Sequence, residues 1–461
     1  MFEAALFASI VTVVVSTIWS IVYIHRIRIA GVHDDRNGLA LRLPAITFIL
    51  ANLLYVLPLP IRLLFTKEAG NGIASDLLQF VEYFPAAIIL DALFLVLFAF
   101  VFRLTAVGSR LRLSVPIRIR HLSMGAFVFL WIPLATTCAV LIVGLAKSAG
   151  GVLSLVLMGY GATSIFIGNG LYAIGIPWLM SLSVLLLVYM RMRNSRFGQL
   201  AAMALIAIEI GALILMARRG ALVGFGISLL VVWHFLFRRF TLKSLALILF
   251  SGFLAMNLLG LLRGSSYTSI SNALESLNAK GDSVSSDGQL KWFYTLTSGN
   301  FVVPFQTMPS IMSHVGSDIQ LQFGATTVRA VALVVPRALW ADRPEPLANW
   351  YMRKFVDHNA QDNEGIQFFF LSGSYLNFWI FGPILWAILY GTVMGWLCIW
   401  FSRRLDSAIH LSLFALVVGN TLNAIASDTF GGAVTFTRVI AAPCLLFLAV
   451  SIIGHYRRPG R

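Results

Sequence analysis

Charge is scarce in this 461-residue sequence, in which 59% of the residues are hydrophobic and only 11% are charged. A soluble domain usually carries about a quarter charged residues, so the composition argues against one. Only three cysteines occur, Cys138, Cys398 and Cys444, and each lies in an apolar run. They fit neither a disulfide framework nor the spacing of metal ligands. Walker, GxGxxG, HExxH and GxSxG motifs are also missing. We therefore expect no metal and no cofactor.

Long apolar runs are plentiful. Ala4–Ile24, Leu122–Ala146 and Ser407–Ser427 each approach or exceed the roughly 20 residues that cross a bilayer as helix. Backbone polar groups must be paired within such a segment, which favours helices. The sequence therefore predicts an all-α polytopic membrane protein with about 11 transmembrane helices. Their predicted bounds are 4–24, 43–65, 77–102, 122–146, 171–190, 199–217, 221–237, 243–262, 374–401, 408–427 and 432–454.

The net charge of +15 follows a membrane pattern. Most Lys and Arg residues lie in short loops between alternate predicted helices, as the positive-inside rule expects of cytoplasmic loops. This pattern places the N-terminus in the periplasm and the C-terminus in the cytoplasm of a bacterial inner membrane, and it makes nucleic acid an unnecessary partner. Residues 150–170 are glycine-rich, and we expect them to form an external interfacial or re-entrant segment. We interpret the first helix as an anchor that is retained.

One long segment is too polar to span. Residues 263–369 have nearly balanced charge and contain stretches rich in Ser, Asn and Gly. Long loops in compact proteins are usually functional. We expect a long periplasmic loop containing short helices. The predicted organisation is therefore 1–262 (transmembrane helices 1–8), 263–369 (the loop) and 370–461 (helices 9–11).

Two arginines stand where short external loops avoid positive charge. Arg218 and Arg219 precede Gly220 between two predicted helices, on the predicted outer side. Paired arginines at a helix end can hold a phosphate or diphosphate by bidentate bonds. The alternative is an ordinary turn whose arginines reach lipid headgroups.

Two further segments combine polar, aromatic and helix-breaking residues. Val335–Pro346 holds Arg337, Trp340, Asp342 and Arg343 among three prolines, which fix the backbone and would present those side chains rigidly. Glu364–Pro383 leads from a polar entry into a predicted helix and would place Tyr375 and Asn377 at the mouth of a cavity. Ordinary interfacial turns or caps are the alternatives.

Ionisable residues inside membrane spans usually face a cavity or a partner. The sequence places six such residues in or beside its apolar runs, namely Arg62, Glu82, Asp91, Glu209, Asp428 and Arg438.

These motifs resemble those of Wzy-type oligosaccharide repeat-unit polymerases. Pro336–Glu345 is similar to the PR-x-x-W-x-x-K/R-P signature of that family, and Gly373–Gly382 resembles its G-E-x-Y-x-N-F-G-x-x-G stretch. Arg218-Arg219-Gly220 resembles its arginine loop that opens a helix. The resemblance covers roughly residues 200–400. Ser374 departs from it, because the family often has Glu at this position.

The resemblance implies a membrane glycosyltransferase acting on oligosaccharides linked to undecaprenyl diphosphate, which is itself the leaving group. Arg218, Arg219, Arg337 and Arg343 would bind the diphosphate, and Trp340, Tyr375 and Asn377 would shape the saccharide site. Glu364, Asp342 or His358 would act on the acceptor hydroxyl. Implied partners are membrane lipids, a chain-length regulator and a flippase. An O-antigen ligase, or a transporter of lipid-linked saccharide, is the alternative.

Overall fold

The computed structural model describes residues 2–27, 35–66, 77–108, 123–158, 165, 170–216, 218–240, 244, 303–332, 340, 342, 344–360, 365–402, 404–405 and 407–456. Within these ranges the chain is helical, and no named strand occurs. Eight helices are long and apolar enough to cross a membrane, which indicates a multi-pass membrane protein. They are Phe2–His25, Arg42–Phe65, Phe80–Val107, Met124–Ser148, Leu171–Met192, Arg196–Leu215, Arg219–Leu236 and Phe381–Phe401.

The all-helical membrane prediction is confirmed, and eight of the 11 predicted helices match these spans. The predicted helix 243–262 lies outside the described residues, apart from Ser244. The predicted helix 408–427 is interrupted at Asn420, giving Ala408–Gly419 and Thr421–Ile425. The predicted helix 432–454 corresponds to the last helix, Thr429–Tyr456. Its apolar stretch Thr437–Val450 is shorter than the eight spans. The sidedness of the chain stays a prediction.

The described chain divides into two compact units. The first contains residues 1–112, 289–403 and 421–434, and the second contains 113–288, 404–420 and 435–461. Helices of the first unit, besides the start of the last helix, are Phe2–His25, Asp35–Val56, Pro58–Thr66, the 3-10 helix Leu77–Tyr83, Phe84–Gly108, Val303–His314, Ala325–Ala332, Leu347–Phe355, Phe370–Phe378, Phe381–Ser402 and Thr421–Ile425.

Aromatic rings form the core of the first unit. Phe48 packs against Phe98 with ring centroids 5.1 Å apart, and Phe94 meets Phe370 at the same distance in an edge-on arrangement. All four side chains are fully buried. Such aromatic pairs contribute about 0.5–1.5 kcal/mol beyond the area they bury. Phe370 begins the helix Phe370–Phe378, so this core fixes that helix against membrane-spanning helices.

The second unit is also built by close helix packing. Besides the rest of the last helix, its helices are Met124–Ser148, Val152–Leu157, Gly170–Ala173, Gly175–Met192, Arg196–Leu215, Arg219–Leu236 and Ala408–Gly419. Gly419 lies directly on Gly224 and Ser228, where any side chain would overlap the facing helix. Small residues at such crossings let membrane helices approach closely. This packing fixes the helix that Arg219 begins.

A sharp turn separates the helix Phe370–Phe378 from the spanning helix that follows. Trp379 has φ 53°, in the left-handed region that non-glycine residues rarely adopt. Gly382 lies against the carbonyl of Ser374, and a Cβ at this position would overlap it. Residues 374–401 were predicted as one helix, but hydropathy does not reveal a break between two apolar segments.

Candidate functional site

Arg218 and Arg219 lie at a helix N-terminus in the second unit. Arg218 is the N-cap residue of the helix Arg219–Leu236, and its carbonyl accepts the first helical bond from the Leu222 N–H at 3.0 Å. Both arginines are half-buried. The N-terminus of a helix carries partial positive charge and favours anions. The position of the two arginines is therefore compatible with anion binding, which stays a prediction.

The other predicted residues fall in the first unit or outside the described residues. Arg337, Arg343 and Glu364 lie outside them. Trp340, with 45% of its surface exposed, and the exposed Asp342 and His358 are accessible to solvent. Accessibility is compatible with their predicted roles, and it does not test those roles.

Tyr375 and Asn377 are buried in the helix Phe370–Phe378. Burial raises the pKa of the Tyr375 hydroxyl above its ordinary value, although a hydrogen bond with Trp379 acts in the opposite direction and the nearby Tyr83 adds to the rise. Tyr375 is therefore a neutral phenol at physiological pH. Its predicted contact with a saccharide stays a prediction.

Asn377 connects two segments of the first unit. Its Nδ2 donates to Thr326 Oγ1 at 2.6 Å and to the Gly373 carbonyl at 2.8 Å, and its Oδ1 accepts from the Gly324 N–H at 3.0 Å. The backbone adds two bonds, from Gln322 N to the Leu376 carbonyl at 3.1 Å and from Phe323 N to the Asn377 carbonyl at 3.0 Å. These bonds hold residues 322–326 against the helix end.

An open cavity of about 570 Å³ lies beside this junction. Ligand pockets usually measure about 300–1,000 Å³, so the volume suits a small ligand. Its wall includes Leu376 and Thr326 from the junction, and Pro344 and Glu345 from the end of the proline-rich motif. The cavity wall thus takes Pro344 and Glu345 from one predicted motif and Leu376 from the other, whereas Trp340, Asp342, Tyr375 and Asn377 are not among its lining residues. The remaining lining residues are Asp318, Ile319, Gln320, Gln322, Arg329, Leu347, Trp350, Lys354 and Asp428.

Several of these lining residues were not among the predicted site residues. Trp350 and Lys354 lie on the short helix Leu347–Phe355, whose amphipathic sequence is the signal that could have indicated a functional surface. Asp428 was noted only as a charge within a predicted span. It is buried at the start of the last helix, and its Oδ2 accepts from the Leu347 N–H at 3.3 Å. Its place in the cavity wall depends on tertiary structure that spacing does not reveal.

Metal ligation finds no support in the part of the chain that the structure describes. No group of three or more His, Cys, Asp or Glu side chains is arranged there to hold a metal ion. The three cysteines are free, with Cys138 and Cys398 buried and Cys444 half-buried.

Comparison with known proteins gives one local similarity. The chain matches no protein-family model and no solved structure. It is 27% identical over 138 residues to an O-antigen polymerase of Salmonella typhimurium and, to the same extent, to one of Salmonella typhi. The match covers 27% of this chain and 33% of each relative, so the chain spans about a third of the length of these relatives. The similarity agrees in kind with the family resemblance of the motifs.

Proposed function

We propose that this chain polymerises lipid-linked oligosaccharide repeat units of an O-antigen, capsule or exopolysaccharide. The observation that carries the proposal is the local similarity to two O-antigen polymerases, in a chain that has many membrane-spanning helices. The reaction takes place at the periplasmic face of the inner membrane. The growing glycan moves from its undecaprenyl diphosphate onto the terminal sugar of an incoming repeat, and the carrier diphosphate leaves.

The arginines stabilise the leaving group in this proposal. Arg218 and Arg219 bind the diphosphate at the positive end of the helix Arg219–Leu236, together with Arg337 and Arg343. Fixed positive charge directed at a developing anion stabilises the transition state without a metal. Glu364, Asp342 or His358 receives the proton of the acceptor hydroxyl, and the oxygen of that hydroxyl forms the new bond to the anomeric carbon.

The test is deletion of the gene in its own bacterium, followed by separation of the surface polysaccharide and of the lipid-linked glycans by size. A polymerase deletion leaves single repeats, whereas deletion of a ligase leaves polymer on its lipid carrier. Loss of a transporter would leave unpolymerised repeats on the cytoplasmic side, where external enzymes do not reach them. Unchanged polymer length and amount would contradict the proposal. Complementation with the intact chain is the control.

A further inference from the structure

The cavity of the first unit has the lining of a site for a neutral, hydroxyl-rich ligand. It combines the indole of Trp350 with the amides of Gln320 and Gln322 and the hydroxyl of Thr326. Amide and hydroxyl groups both donate and accept hydrogen bonds, as sugar hydroxyls do. An aromatic side chain supplies a flat apolar surface with a polar edge. This mixture matches a saccharide better than it matches a lipid tail.

The charges of the cavity disfavour an anionic ligand. Among the described lining residues, Asp318, Glu345 and Asp428 are acidic and Arg329 and Lys354 are basic, and Glu345 forms an ion pair with Arg353, so positive charge is not in excess there. Lys354 is engaged within the protein, because its Nζ lies 3.4 Å from the Asp318 carbonyl oxygen and 5.8 Å from the centre of the Trp350 ring. A diphosphate needs a surplus of cationic donors. The cavity is therefore chemically different from the arginine pair at Arg218.

The polar groups of the cavity are held in place before a ligand binds. Thr326 Oγ1 is fixed by the Asn377 amide at 2.6 Å, and the Gln322 side-chain amide donates to the Gln320 carbonyl at 3.0 Å. Trp350 packs edge-on against Phe355 at 5.8 Å. Fixed donors and rings lose little entropy on binding, which favours affinity.

Asp428 supplies a buried acceptor in the cavity wall. Its carboxylate receives the Leu347 N–H at 3.3 Å and thereby orients the helix that carries Trp350. A carboxylate has about four acceptor positions, so it can bond the backbone and a ligand hydroxyl together. Hydrogen bonds to an ionised acceptor are about twice as strong as neutral ones.

We propose that this cavity binds the acceptor saccharide of the reaction, with Trp350 stacking on a sugar face and Asp428 accepting a sugar hydroxyl. That the bound saccharide is the acceptor rests on the proposed function. That the cavity binds a saccharide is inferred from its lining residues alone.

Protection of an introduced thiol tests the assignment in the purified full-length chain. Gln322→Cys places a thiol in the cavity wall, and a hydrophilic maleimide reports its accessibility. The probe is a soluble oligosaccharide prepared by partial hydrolysis of the surface polysaccharide of the same bacterium. We expect millimolar probe to slow labelling at Gln322→Cys and to leave Ser317→Cys unchanged, since Ser317 is exposed and does not line the cavity. If Gln322→Cys does not fold, Arg329→Cys replaces it.

Three variants at two lining residues give the sharper comparison. Trp350→Ala is expected to need roughly tenfold more probe for equal protection, which corresponds to about 1.4 kcal/mol, whereas Trp350→Phe retains a ring and most of the effect. Asp428→Asn can still accept from the Leu347 N–H but lacks the negative charge that strengthens a hydrogen bond from a sugar hydroxyl, so it also weakens protection. Protection in all three variants equal to that in the parent would overturn the roles of both residues.

Other outcomes overturn the saccharide assignment itself. They are absence of protection in the folded protein, equal protection at Ser317→Cys, protection by glycerol at equal hydroxyl concentration, or protection by inorganic diphosphate in place of the oligosaccharide. The deletion experiment remains independent. Loss of polymer without thiol protection refutes the cavity assignment alone, and protection with unchanged polymer in the deletion strain refutes the polymerase proposal alone.

Discussion

The amide of Asn52 donates to both carboxylate oxygens of Asp91, at 2.9 and 2.8 Å, between two membrane-spanning helices. Both residues are completely buried. Buried polar groups are costly unless they are paired, and the cost of removing one partner exceeds the benefit of forming the pair. This pair therefore fixes the relative position of the helices Asp35–Val56 and Phe84–Gly108 more specifically than apolar contacts alone would.

We predict that Asn52→Leu destabilises the protein by about 1–3 kcal/mol, since it leaves Asp91 buried without its amide partner. The double variant Asn52→Leu/Asp91→Leu should lose less stability than the sum of the losses in the two single variants. The measurement is the midpoint of unfolding in detergent for all four proteins, analysed as a double-mutant cycle. Strictly additive effects would show that the two side chains are not coupled.

Gly382→Ala should prevent correct folding of the turn before the helix Phe381–Ser402. The added Cβ would overlap the Ser374 carbonyl, and a backbone atom cannot move aside cheaply. We expect a destabilisation of about 3 kcal/mol or more, the range of severe overpacking. Gly211→Ala is the matched control, because no atom lies within 4 Å of its added Cβ, and it should be neutral or slightly stabilising. Equal thermal stability of the two variants in detergent would contradict the prediction.

Arg219→Gln should abolish polymer formation in cells while leaving the amount of protein in the membrane unchanged. Arg196→Gln is its control, since Arg196 is likewise the first residue of a helix but lies on the predicted cytoplasmic side. Arg219→Lys should restore polymer only in part, because lysine cannot form a bidentate bond. Polymer size profiles from complemented deletion strains measure all three. Full-length polymer with Arg219→Gln would remove this residue from the diphosphate site.

Thiol labelling of intact cells should reveal the sidedness of the chain. His358→Cys is expected to react with a membrane-impermeant maleimide, whereas Arg238→Cys should react only after the cells are broken. Both positions are exposed, so the membrane alone should decide the difference. The native thiols lie in helices, two of them buried, and add little background. The opposite labelling pattern would invert the predicted topology and end the periplasmic reaction scheme.

Hydropathy predicted most of the spanning helices because the cost of unpaired backbone in lipid leaves few alternatives. The match is close at residues 4–24, which the structure extends to Phe2–His25, and at residues 122–146, which it shifts by two residues to Met124–Ser148. Breaks at Trp379 and Asn420 escaped prediction, since they depend on backbone dihedrals and local packing rather than on polarity.

The candidate site was predictable only in part. The motif indicated Asn377 as a residue of the saccharide site, which stays a prediction; its buried side chain bonds Thr326, a residue of the cavity wall. The cavity itself was not predictable, because Gln322, Trp350 and Asp428 are far apart in sequence and no local pattern relates them. Charge within a span identified Asp428 as unusual, yet only the bond to Leu347 shows which segment it contacts.

The turn at Trp379 comes three residues after Leu376, which lies in the cavity wall. Trp379, Ile380 and Phe381 are all exposed there, at the start of a membrane-spanning helix. Aromatic side chains in this position prefer the boundary between headgroups and hydrocarbon. Leu376, in the cavity wall, lies one helical turn before that boundary. Under the proposed function, we expect a molecule anchored by a lipid tail to reach the cavity with its first sugars while its tail remains among the acyl chains.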